Sequence, residues 1–471
     1  MQRKTKIVAT ISSLNCSPDF ISGLYRAGMN VVRLNTAHMS HEDALEVVSN
    51  TREVSDKIGI LLDTKGPEIR TCDAKDPLKV KHGDYIRIKG APNEISRDDV
   101  ICVSYEHFVK DVPMGSSILI DDGYIALAVM EKNEKYLICF VENDGIIHAR
   151  KSINIPSVHV RLPALSEKDK GFIKFAADND LDFIAHSFVR NKQDVIAVQD
   201  ILNKQKSPIK IIAKIENAQG VQNLDEILDH AYGVMIARGD LAVEIPTEQI
   251  PLIQKQIVKT CIERRRPVIV ATQMLHSMIE SPRPTRAEVS DVANACLDHS
   301  DALMLSGETA NGKYPEVAVR TMAKIAEEVE SKRSSFVDVP YSLDNKVTAY
   351  LAKSAVKAAL RLNTKGIVAD SLTGASILAL AAYRGDNPIY AQVYDNRVMR
   401  MLSLSFGVVA DFITLDITST EPLKKSICRL LDEKQFRDDD LIIVLAGSFG
   451  AKHGVSYIEI STASTLKEKC S

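Results

Sequence analysis

The chain has 471 residues, of which 45% are hydrophobic and 26% charged, a balance typical of a globular protein with a large core. Its net charge of −3 at pH 7 excludes a broad electrostatic surface for nucleic acid or membranes, so any anion site must be local. The apolar run after Lys6 is too short for a signal peptide, and no run of about 18 apolar residues occurs, so a cytoplasmic location is expected.

Short apolar runs alternate with amphipathic stretches in most of the first 332 residues. The runs are rich in Val and Ile and are apolar on both faces, as buried parallel strands are. They lie at residues 6–11, 30–34, 59–62, 182–185, 209–213, 233–237, 267–271 and 302–305. Helices are expected at 42–58, 193–206, 248–264 and 315–332. The pattern predicts a (β/α)8 barrel over 1–66 and 162–332, although a doubly wound open sheet would give a similar pattern.

One connection is too long for a loop. About ninety-five residues, 67–161, separate the third strand from the next helical stretch, and they contain many turn formers and short alternating runs. Strands are expected at 85–89, 117–120, 125–130 and 136–141. We expect residues 67–161 to form an inserted β-barrel domain that lies over one end of the main barrel as a lid.

The alternating pattern restarts after a polar link at residues 331–344. Helices are expected at 348–360, 374–384, 396–404 and 422–432, and strands at 366–369, 389–393, 408–410, 441–446 and 457–460. The pattern predicts a separate C-terminal α/β domain over residues 333–471.

Polar or charged side chains follow seven of the eight predicted barrel strands. For any one of them a solvated loop residue is the simpler explanation. Seven strand ends that behave alike indicate an active site, because barrel enzymes build their sites at the carboxyl ends of the strands. The residues are Arg33 and Asn35, Asp63 to Gly66, Ser187 and Arg190, Lys214 and Glu216, Arg238 to Asp240, Thr272, and Ser306 to Glu308.

The chemistry of these residues favours phosphoryl transfer. Glu216 and Asp240 end neighbouring strands and would converge on one hard divalent cation, best Mg²⁺. Cations around such a pair would neutralise phosphate oxygens, as phosphoryl transfer requires. The candidates are Arg33, Arg70, Lys214 and Arg238, although Arg238 is equally explained as a partner of a barrel carboxylate. The chain contains no GxxxxGK[ST] loop and no GxGxxG after a strand, which argues against a Walker or Rossmann nucleotide site.

Eight segments, in order, resemble the motifs of the pyruvate kinase family. They are GMNVVRLN (28–35), LDTKGPEIR (62–70), LPALSEKD (162–169), KIENAQGV (214–221), ARGDLAVEIP (237–246), ATQML (271–275), PRPTRAEVSDVANA (282–295) and LSGETANGKYP (305–315). The resemblance includes the insert and the C-terminal domain. It implies transfer of the phosphoryl group of phosphoenolpyruvate to ADP, which gives pyruvate and ATP in the last step of glycolysis.

The resemblance also implies roles for the residues of the phosphoryl site. Lys214 would neutralise the transferring phosphoryl group and the developing enolate. Arg33 would hold the phosphoryl group, with Arg70 assisting. Glu216 and Asp240 would bind Mg²⁺ or Mn²⁺.

The same resemblance assigns the rest of the substrate, nucleotide and potassium sites. The backbone N–H groups of Gly239 and Asp240 would receive the substrate carboxylate, because they open a short helix. Thr272 would join a proton relay to the enolate carbon, with water delivering the proton. The nucleotide contacts would be Asn35, His38, Arg70, Lys168 and, from the lid, Asp122. The K⁺ ligands would be Asn35, Asp63 and the Thr64 carbonyl.

Two positions in the sequence affect the expected binding of K⁺. Family members commonly have a K⁺-ligating serine where this chain has Ala37, so Thr36 or a water would have to substitute. Family members that depend on K⁺ usually have a glutamate at the position of Glu68. A lysine at this position can replace the positive charge of K⁺. K⁺ activation is therefore still expected.

A second site is expected in the C-terminal domain. The segment 371–376 joins a strand to a helix and resembles the family's effector-phosphate loop, so its hydroxyls and N–H groups could bind a phosphorylated effector. The residues are Ser371, Thr373, Gly374 and Ser376. Simple capping of the helix by Thr373 or Ser376 is the alternative. A homotetramer is implied by the resemblance alone.

Two other functions stay open at this point. A metal-dependent barrel lyase acting on pyruvate or phosphoenolpyruvate would also use a Glu/Asp metal pair, but it would not need Lys214, the LDTKGPEIR segment or a lid. A catalytically silent regulatory homologue would not need to keep Lys214, Glu216, Asp240 and Thr272 together.

Overall fold

The computed structural model describes residues 3–156, 158, 160–332, 336–340, 345–414, 421–433, 436–447 and 454–469. The predicted link at 331–344 lies partly outside these residues.

The described chain contains twenty-two strands. They are β1 (Lys6–Ile11), β2 (Val31–Asn35), β3 (Gly59–Asp63), β4 (Ile69–Arg70), β5 (Leu78–Val80), β6 (Tyr85–Gly90), β7 (Val100–Val103), β8 (Ser117–Ile120), β9 (Ile125–Lys132), β10 (Leu137–Val141), β11 (Gly145–Ile147), β12 (Ser152–Asn154), β13 (Phe183–His186), β14 (Lys210–Ile215), β15 (Gly233–Ala237), β16 (Val268–Ala271), β17 (Ala302–Leu305), β18 (Gly366–Ser371), β19 (Ile389–Val393), β20 (Val408–Phe412), β21 (Leu441–Ala446) and β22 (Tyr457–Thr462).

Seventeen α-helices accompany these strands in the described ranges. They are α1 (Pro18–Ala27), α2 (His41–Val54), α3 (Phe108–Asp111), α4 (Glu167–Asp178), α5 (Lys192–Lys204), α6 (Ala218–Gln222), α7 (Leu224–His230), α8 (Arg238–Glu244), α9 (Ile250–Glu263), α10 (Arg286–Leu297), α11 (Gly307–Ala310), α12 (Pro315–Ser331), α13 (Lys346–Arg361), α14 (Ala375–Ala382), α15 (Asn396–Met401), α16 (Glu421–Glu433) and α17 (Ala463–Glu468). None of the helices described has the length and apolar content needed to cross a bilayer.

Eight parallel strands close into a barrel in the order β1-β17-β16-β15-β14-β13-β3-β2. Nearly every residue of these strands is buried, because the barrel interior covers one face and the helices cover the other. The prediction of a (β/α)8 barrel is confirmed, and the open-sheet alternative is wrong.

Side-chain caps fix where the barrel helices begin. Ser40 and Asp43 form a capping box at the start of α2, and Ser166 and Asp169 form another at α4. Each satisfies backbone N–H groups that the first turn leaves without partners. The predicted extension of α2 to residue 58 is wrong, since Ser55 is extended (φ −170°) and the chain turns there to enter β3.

The segment between β3 and α4 is an inserted β-domain with its own core. Its seven-stranded sheet has the order β4-β12-β8-β9-β10-β6-β7, and β11 pairs with β5 in a second, two-stranded sheet. Phe108, Ile118, Leu127 and Leu137 are among its fully buried residues. The expected boundaries at 67 and 161 stay a prediction.

The C-terminal domain is a five-stranded sheet, β20-β19-β18-β21-β22, flanked by helices. All neighbouring strands run parallel except β22, which is the antiparallel edge. This confirms the predicted α/β class.

Buried ion pairs join the C-terminal domain to the barrel. Arg384 donates to both carboxylate oxygens of Asp301, at 2.8 and 2.6 Å, with both side chains less than 5% exposed. Asp301 also accepts the backbone N–H groups of Val268 and Phe406. Farther along the same interface, Arg400 Nε donates to Asp182.

We predict that Arg384→Met lowers the free energy of unfolding by about 3–5 kcal/mol, because it leaves the buried Asp301 charge without its cation. Urea unfolding followed by circular dichroism measures the change. The control is Arg429→Met, which removes an exposed pair with Glu433 on α16 and should cost no more than about 0.5 kcal/mol. Equal losses in the two variants would contradict the prediction.

Candidate active site

A cavity of about 780 Å³ opens at the carboxyl ends of the barrel strands, between the barrel and the insert. Turns of the barrel supply most of its wall, and turns of the insert supply the rest. The lining residues are Arg33, Asn35, Ala37, His38, Asp63, Thr64, Lys65, Glu68, Arg70, Asp121, Asp122, Arg150, Lys151, Ser152, Ser187, Phe188, Lys214, Glu216 and Asp240.

Lys214 lies at the centre of the charges in this cavity. Its Nζ lies 3.1 Å from Asp63 Oδ1 and 3.0 Å from Glu216 Oε1, and it donates to Ser187 Oγ at 2.7 Å. Burial alone lowers the pKa of Lys214, but the two carboxylates outweigh burial and raise it above its usual value. Lys214 is therefore a fixed positive charge.

Asp63 joins the second cation of the site to this cluster. Arg33 Nε donates to Asp63 Oδ2 at 2.7 Å, and Arg33 Nη1 donates to Thr10 Oγ1 at 2.9 Å. Burial raises the pKa of Asp63, but Lys214 and Arg33 outweigh that effect and hold it below its usual value. Asp63 is thus an ionised carboxylate that orients both cations.

Glu216 and Asp240 lie side by side, as their neighbouring strands predict. Burial raises the pKa of Glu216 to about 7, with the Asp240 and Asp63 carboxylates adding to it and Lys214 opposing it. Burial also raises the pKa of Asp240. Glu216 Oε2 accepts the Phe188 N–H at 2.6 Å, which fixes the carboxylate plane.

The carboxylate pair fits a divalent cation in charge and donor type. Two positive side chains, Arg33 and Lys214, face three carboxylates, so the cluster carries a formal charge of −1 that a divalent cation would reverse. Carboxylate oxygens are the ligands Mg²⁺ prefers. Among the residues that the structure describes, no group of three or more His, Cys, Asp and Glu side chains is arranged to hold a metal ion.

Gly66 allows the chain to pass closely over this floor. Its φ is +73°, and a Cβ there would lie 2.8 Å from Ser187 Cβ and 2.9 Å from the Phe188 ring. Only glycine meets both demands. The turn leads directly into the insert.

Thr272 and Gly239 lie beside the cavity rather than on its wall. The Gly239 N–H, which was expected to face the substrate carboxylate, donates to Thr272 Oγ1 at 2.8 Å. Arg238 points away from the cavity, since its Nη1 donates to Asp291 at 2.7 Å. The interpretation of Arg238 as a phosphate-neutralising cation is wrong, and the structural alternative is correct.

The predicted nucleotide residues border one side of the cavity. Asn35, His38, Arg70 and Asp122 line it. Lys168 does not, but its Nζ lies 3.4 Å from the Ala37 carbonyl at the rim. Arg70 is paired with Glu68 at 2.7 Å, so its charge is partly neutralised in this conformation.

The predicted K⁺ residues converge at the end of β3. Asn35 and Asp63 are register partners on adjacent strands, and both line the cavity with Thr64. The Thr64 carbonyl accepts from Ser187 Oγ at 2.6 Å. Thr36 Oγ1 donates to the Asp63 carbonyl at 2.8 Å, so its hydroxyl hydrogen is already used.

In the predicted effector loop, three hydroxyls bond to the loop's own backbone. Ser371 Oγ accepts the Gly374 N–H, Thr373 Oγ1 accepts the Ala375 N–H, and the buried Ser376 Oγ donates to the Asp370 carbonyl. Thr373 thus bonds an N–H of the first turn of α14, whereas the N-cap, Gly374, has no side-chain cap and Ser376 does not cap the helix. The effector site stays a prediction.

Two residues have contacts in the site that the sequence did not predict. Asp63 was assigned only to K⁺, whereas it holds both Arg33 and Lys214. Ser187 was noted as a strand-end residue without a role, whereas its hydroxyl joins Lys214 to Thr64. Both residues follow buried strands, so the sequence pattern places them at the rim of the barrel. The pattern does not show which side chains they contact.

The chain matches two family models, "Pyruvate kinase, barrel domain" over residues 2–319 and "Pyruvate kinase, alpha/beta domain" over 350–461. A pyruvate kinase of Borreliella burgdorferi is 46% identical over 468 residues, covering 98% of each chain. One of Geobacillus stearothermophilus is 42% identical over 463 residues, covering 95% of this chain and 78% of that one. A pyruvate kinase structure from Cryptosporidium parvum superposes with a TM-score of 0.91 at 36% identity, covering 98% of this chain and 96% of that one.

We predict that the apparent affinity for Mg²⁺ falls about tenfold between pH 8 and pH 6. With a pKa of about 7, Glu216 is mostly ionised at pH 8 and mostly protonated at pH 6, and the proton competes with the cation. Isothermal titration of the substrate-free protein with MgCl₂ measures the affinity. An affinity that does not change across this range would contradict the raised pKa of Glu216.

Proposed function

The chain belongs to the pyruvate kinase family of phosphotransferases, and from that premise we propose that it transfers the phosphoryl group of phosphoenolpyruvate to ADP with Mg²⁺ and K⁺. The observation that carries this proposal is the buried cluster of Lys214 with Asp63 and Glu216, open to a cavity at the barrel's carboxyl end. The metal ions, the step in glycolysis and the residue roles below are parts of the proposal.

The phosphoryl group would bind between Arg33 and Lys214. A terminal oxygen of ADP attacks phosphorus, and the bond from phosphorus to the enol oxygen breaks, so negative charge moves onto the enolate. Lys214 would neutralise both the phosphoryl oxygens and this enolate, because Asp63 and Glu216 already hold its ammonium in place. Stabilising charge in this way is the main task of the protein in phosphoryl transfer.

Glu216 and Asp240 would hold the Mg²⁺, or Mn²⁺ in its place, which supplies Lewis-acid neutralisation of phosphate and enolate oxygens when bound. Burial raises the pKa values of these two carboxyl groups while the Lys214 ammonium opposes the shift, so a divalent cation would favour their ionised forms. The Phe188 N–H fixes one oxygen of Glu216 and leaves the other facing Lys214.

The substrate carboxylate would bind at the start of α8, at the N–H groups of Gly239 and Asp240. Because the Gly239 N–H donates to Thr272 Oγ1 in the free protein, substrate binding would exchange one oxygen acceptor for another. The Thr272 hydroxyl would then be free to orient the water that protonates the enolate carbon. A threonine hydroxyl is too weak an acid to do this alone.

ADP would lie along Asn35, His38, Arg70 and Lys168. Asp122, on the insert turn, would approach the nucleotide as the insert closes and excludes water from the transfer. Arg70 would exchange its contact with Glu68 for the phosphate when the nucleotide binds.

K⁺ would bind to Asn35, Asp63 and the Thr64 carbonyl. These are oxygen ligands at the adjacent ends of β2 and β3, which suits a monovalent cation. Ala37 provides no hydroxyl here. Thr36 Oγ1 keeps its lone pairs when it donates to the Asp63 carbonyl, so either Thr36 or water would complete the shell.

Four further parts of the proposal are a homotetramer, which rests on the resemblance alone, a cytoplasmic location, a lid role for the insert and a phosphorylated effector at Ser371, Thr373, Gly374 and Ser376. Light scattering tests the tetramer. Titration of sugar phosphates and AMP against substrate saturation tests the effector, and unchanged curves with all of them would remove it.

The proposed reaction predicts that pyruvate forms from phosphoenolpyruvate only when ADP is present. A coupled assay with and without ADP tests it, because a lyase would act without ADP and a silent homologue would act in neither case. ATP formation equal to pyruvate formation is the expected result. Pyruvate at the same rate without ADP would contradict the proposal.

We predict that Lys214→Met lowers turnover by at least about 10²–10³, the usual cost of losing one strong charge stabiliser. The same assay under saturating substrate measures it. Lys210→Met, at the other end of β14, is the control and should keep near-normal turnover. Near-normal turnover in Lys214→Met would show that the role proposed for Lys214 is wrong.

We predict that K⁺ activates the enzyme more than Na⁺ does. Rates with KCl, NaCl or tetramethylammonium chloride at one ionic strength measure this, and direct binding of the K⁺ analogue Tl⁺ by NMR gives a second readout. Equal rates in all three salts would contradict the K⁺ site.

A further inference from the structure

Thr272 and Gln273, directly after β16, have an unusual backbone. Their φ angles are +67° and +54°. Residues other than glycine seldom adopt this left-handed region, and a β-branched residue such as threonine is a clear exception there. A conformation of this kind costs roughly 1–3 kcal/mol and persists only when its surroundings hold it in place.

Arg238 supplies the contacts that hold this backbone. Its Nη2 donates to the Thr272 carbonyl at 2.7 Å, and its Nε donates to the Ala271 carbonyl at 3.3 Å. Nη1 donates to Asp291 on α10 at 2.7 Å, and it lies 3.4 Å from Gln254 on α9. The planar guanidinium thus holds the peptide groups on both sides of the Thr272 side chain, and a carboxylate holds the guanidinium.

The held backbone determines where the Thr272 hydroxyl points. Thr272 Oγ1 donates to the Ala271 carbonyl at 2.7 Å and accepts the Gly239 N–H at 2.8 Å. Gly239 precedes Asp240, whose carboxyl faces Glu216 in the cavity. The left-handed turn therefore turns the hydroxyl toward the start of α8, next to Asp240 of the cavity wall. A relaxed backbone would turn it elsewhere.

We infer that Arg238 is a positioning residue for the proton-transfer step: it holds Thr272 in a strained left-handed turn so that its hydroxyl faces the substrate. Arg238 does not line the cavity, and Asp291 and the Thr272 carbonyl accept its N–H groups. This inference rests on the proposed function, in which Thr272 orients the water that protonates the enolate. It predicts that loss of Arg238 slows protonation much more than phosphoryl transfer.

Two assays separate the two steps. Exchange of the pyruvate methyl protons for deuterium in D₂O, followed by ¹H NMR with Mg²⁺, K⁺ and ATP present, reports proton transfer. Formation of ATP from phosphoenolpyruvate and ADP in a single turnover, with enzyme in excess, reports phosphoryl transfer. The variants are Arg238→Gln, Thr272→Val and the double variant. The control is Arg264→Gln, which removes a barrel arginine paired with Asp225 and Asp229 on α7.

In Arg238→Gln we expect methyl exchange to slow by about 10–100-fold, the cost of misplacing a catalytic group by about 1 Å. Single-turnover ATP formation should change by less than about threefold. The double variant should exchange methyl protons no more slowly than Thr272→Val alone, because both substitutions act through the same hydroxyl group. Arg264→Gln should behave as the unaltered enzyme in both assays.

Two results would overturn the inference and leave the proposed function intact. One is equal slowing of both steps in Arg238→Gln, and the other is normal methyl exchange in Arg238→Gln when exchange in Thr272→Val is slow. Normal exchange in Thr272→Val would instead show that the proposed role of Thr272 is wrong, and the inference would be overturned with it. If Arg238→Gln does not fold, Asp291→Asn replaces it. That variant keeps the arginine but removes its charged anchor, and it should slow exchange selectively by about three- to tenfold; equal effects on both steps would again overturn the inference.

Discussion

The site depends on one interaction, the contact of the Lys214 ammonium with the carboxylates of Asp63 and Glu216 inside the barrel mouth. A buried charge is costly unless it is paired and hydrogen-bonded, and each member of this cluster has partners. Lys214 also donates to Ser187, Glu216 accepts the Phe188 N–H, and Asp63 accepts from Arg33. The protein thereby maintains fixed charges where water is largely excluded, which is the condition for strong electrostatic stabilisation of a transferring phosphate.

The barrel makes this cluster possible because parallel strands end at one rim. β2, β3, β13 and β14 are consecutive neighbours in the closed sheet, so residues distant in sequence meet with little backbone distortion. Left-handed backbone, with positive φ, occurs around the site at Phe188, at Thr272 and at the Asp121 and Asp122 turn of the insert. Rigid strands thus carry the charges, and turns carry the groups proposed to move or to transfer protons.

Most of the architecture could be predicted from the sequence, because strands buried on both faces leave continuous Val- and Ile-rich runs. The polar strand ends also predicted which residues share the rim. What could not be predicted is which side chains pair with each other. Asp63 lies between Arg33 and Lys214, and Arg238 faces Asp291 rather than the cavity, because strand stagger and side-chain direction decide these contacts. The end of α2 was predicted wrongly because the order of polar and apolar residues from Ser55 to Ile58 is also compatible with a helix.

Anomalous diffraction from crystals grown with Mn²⁺ and a non-reactive phosphoenolpyruvate analogue tests the central claim most directly. The account predicts one Mn²⁺ bound to a carboxylate oxygen of Glu216 and one of Asp240, with the phosphoryl group of the analogue on Lys214 and Arg33. A metal bound elsewhere, or a phosphoryl group that does not contact Lys214, would contradict it.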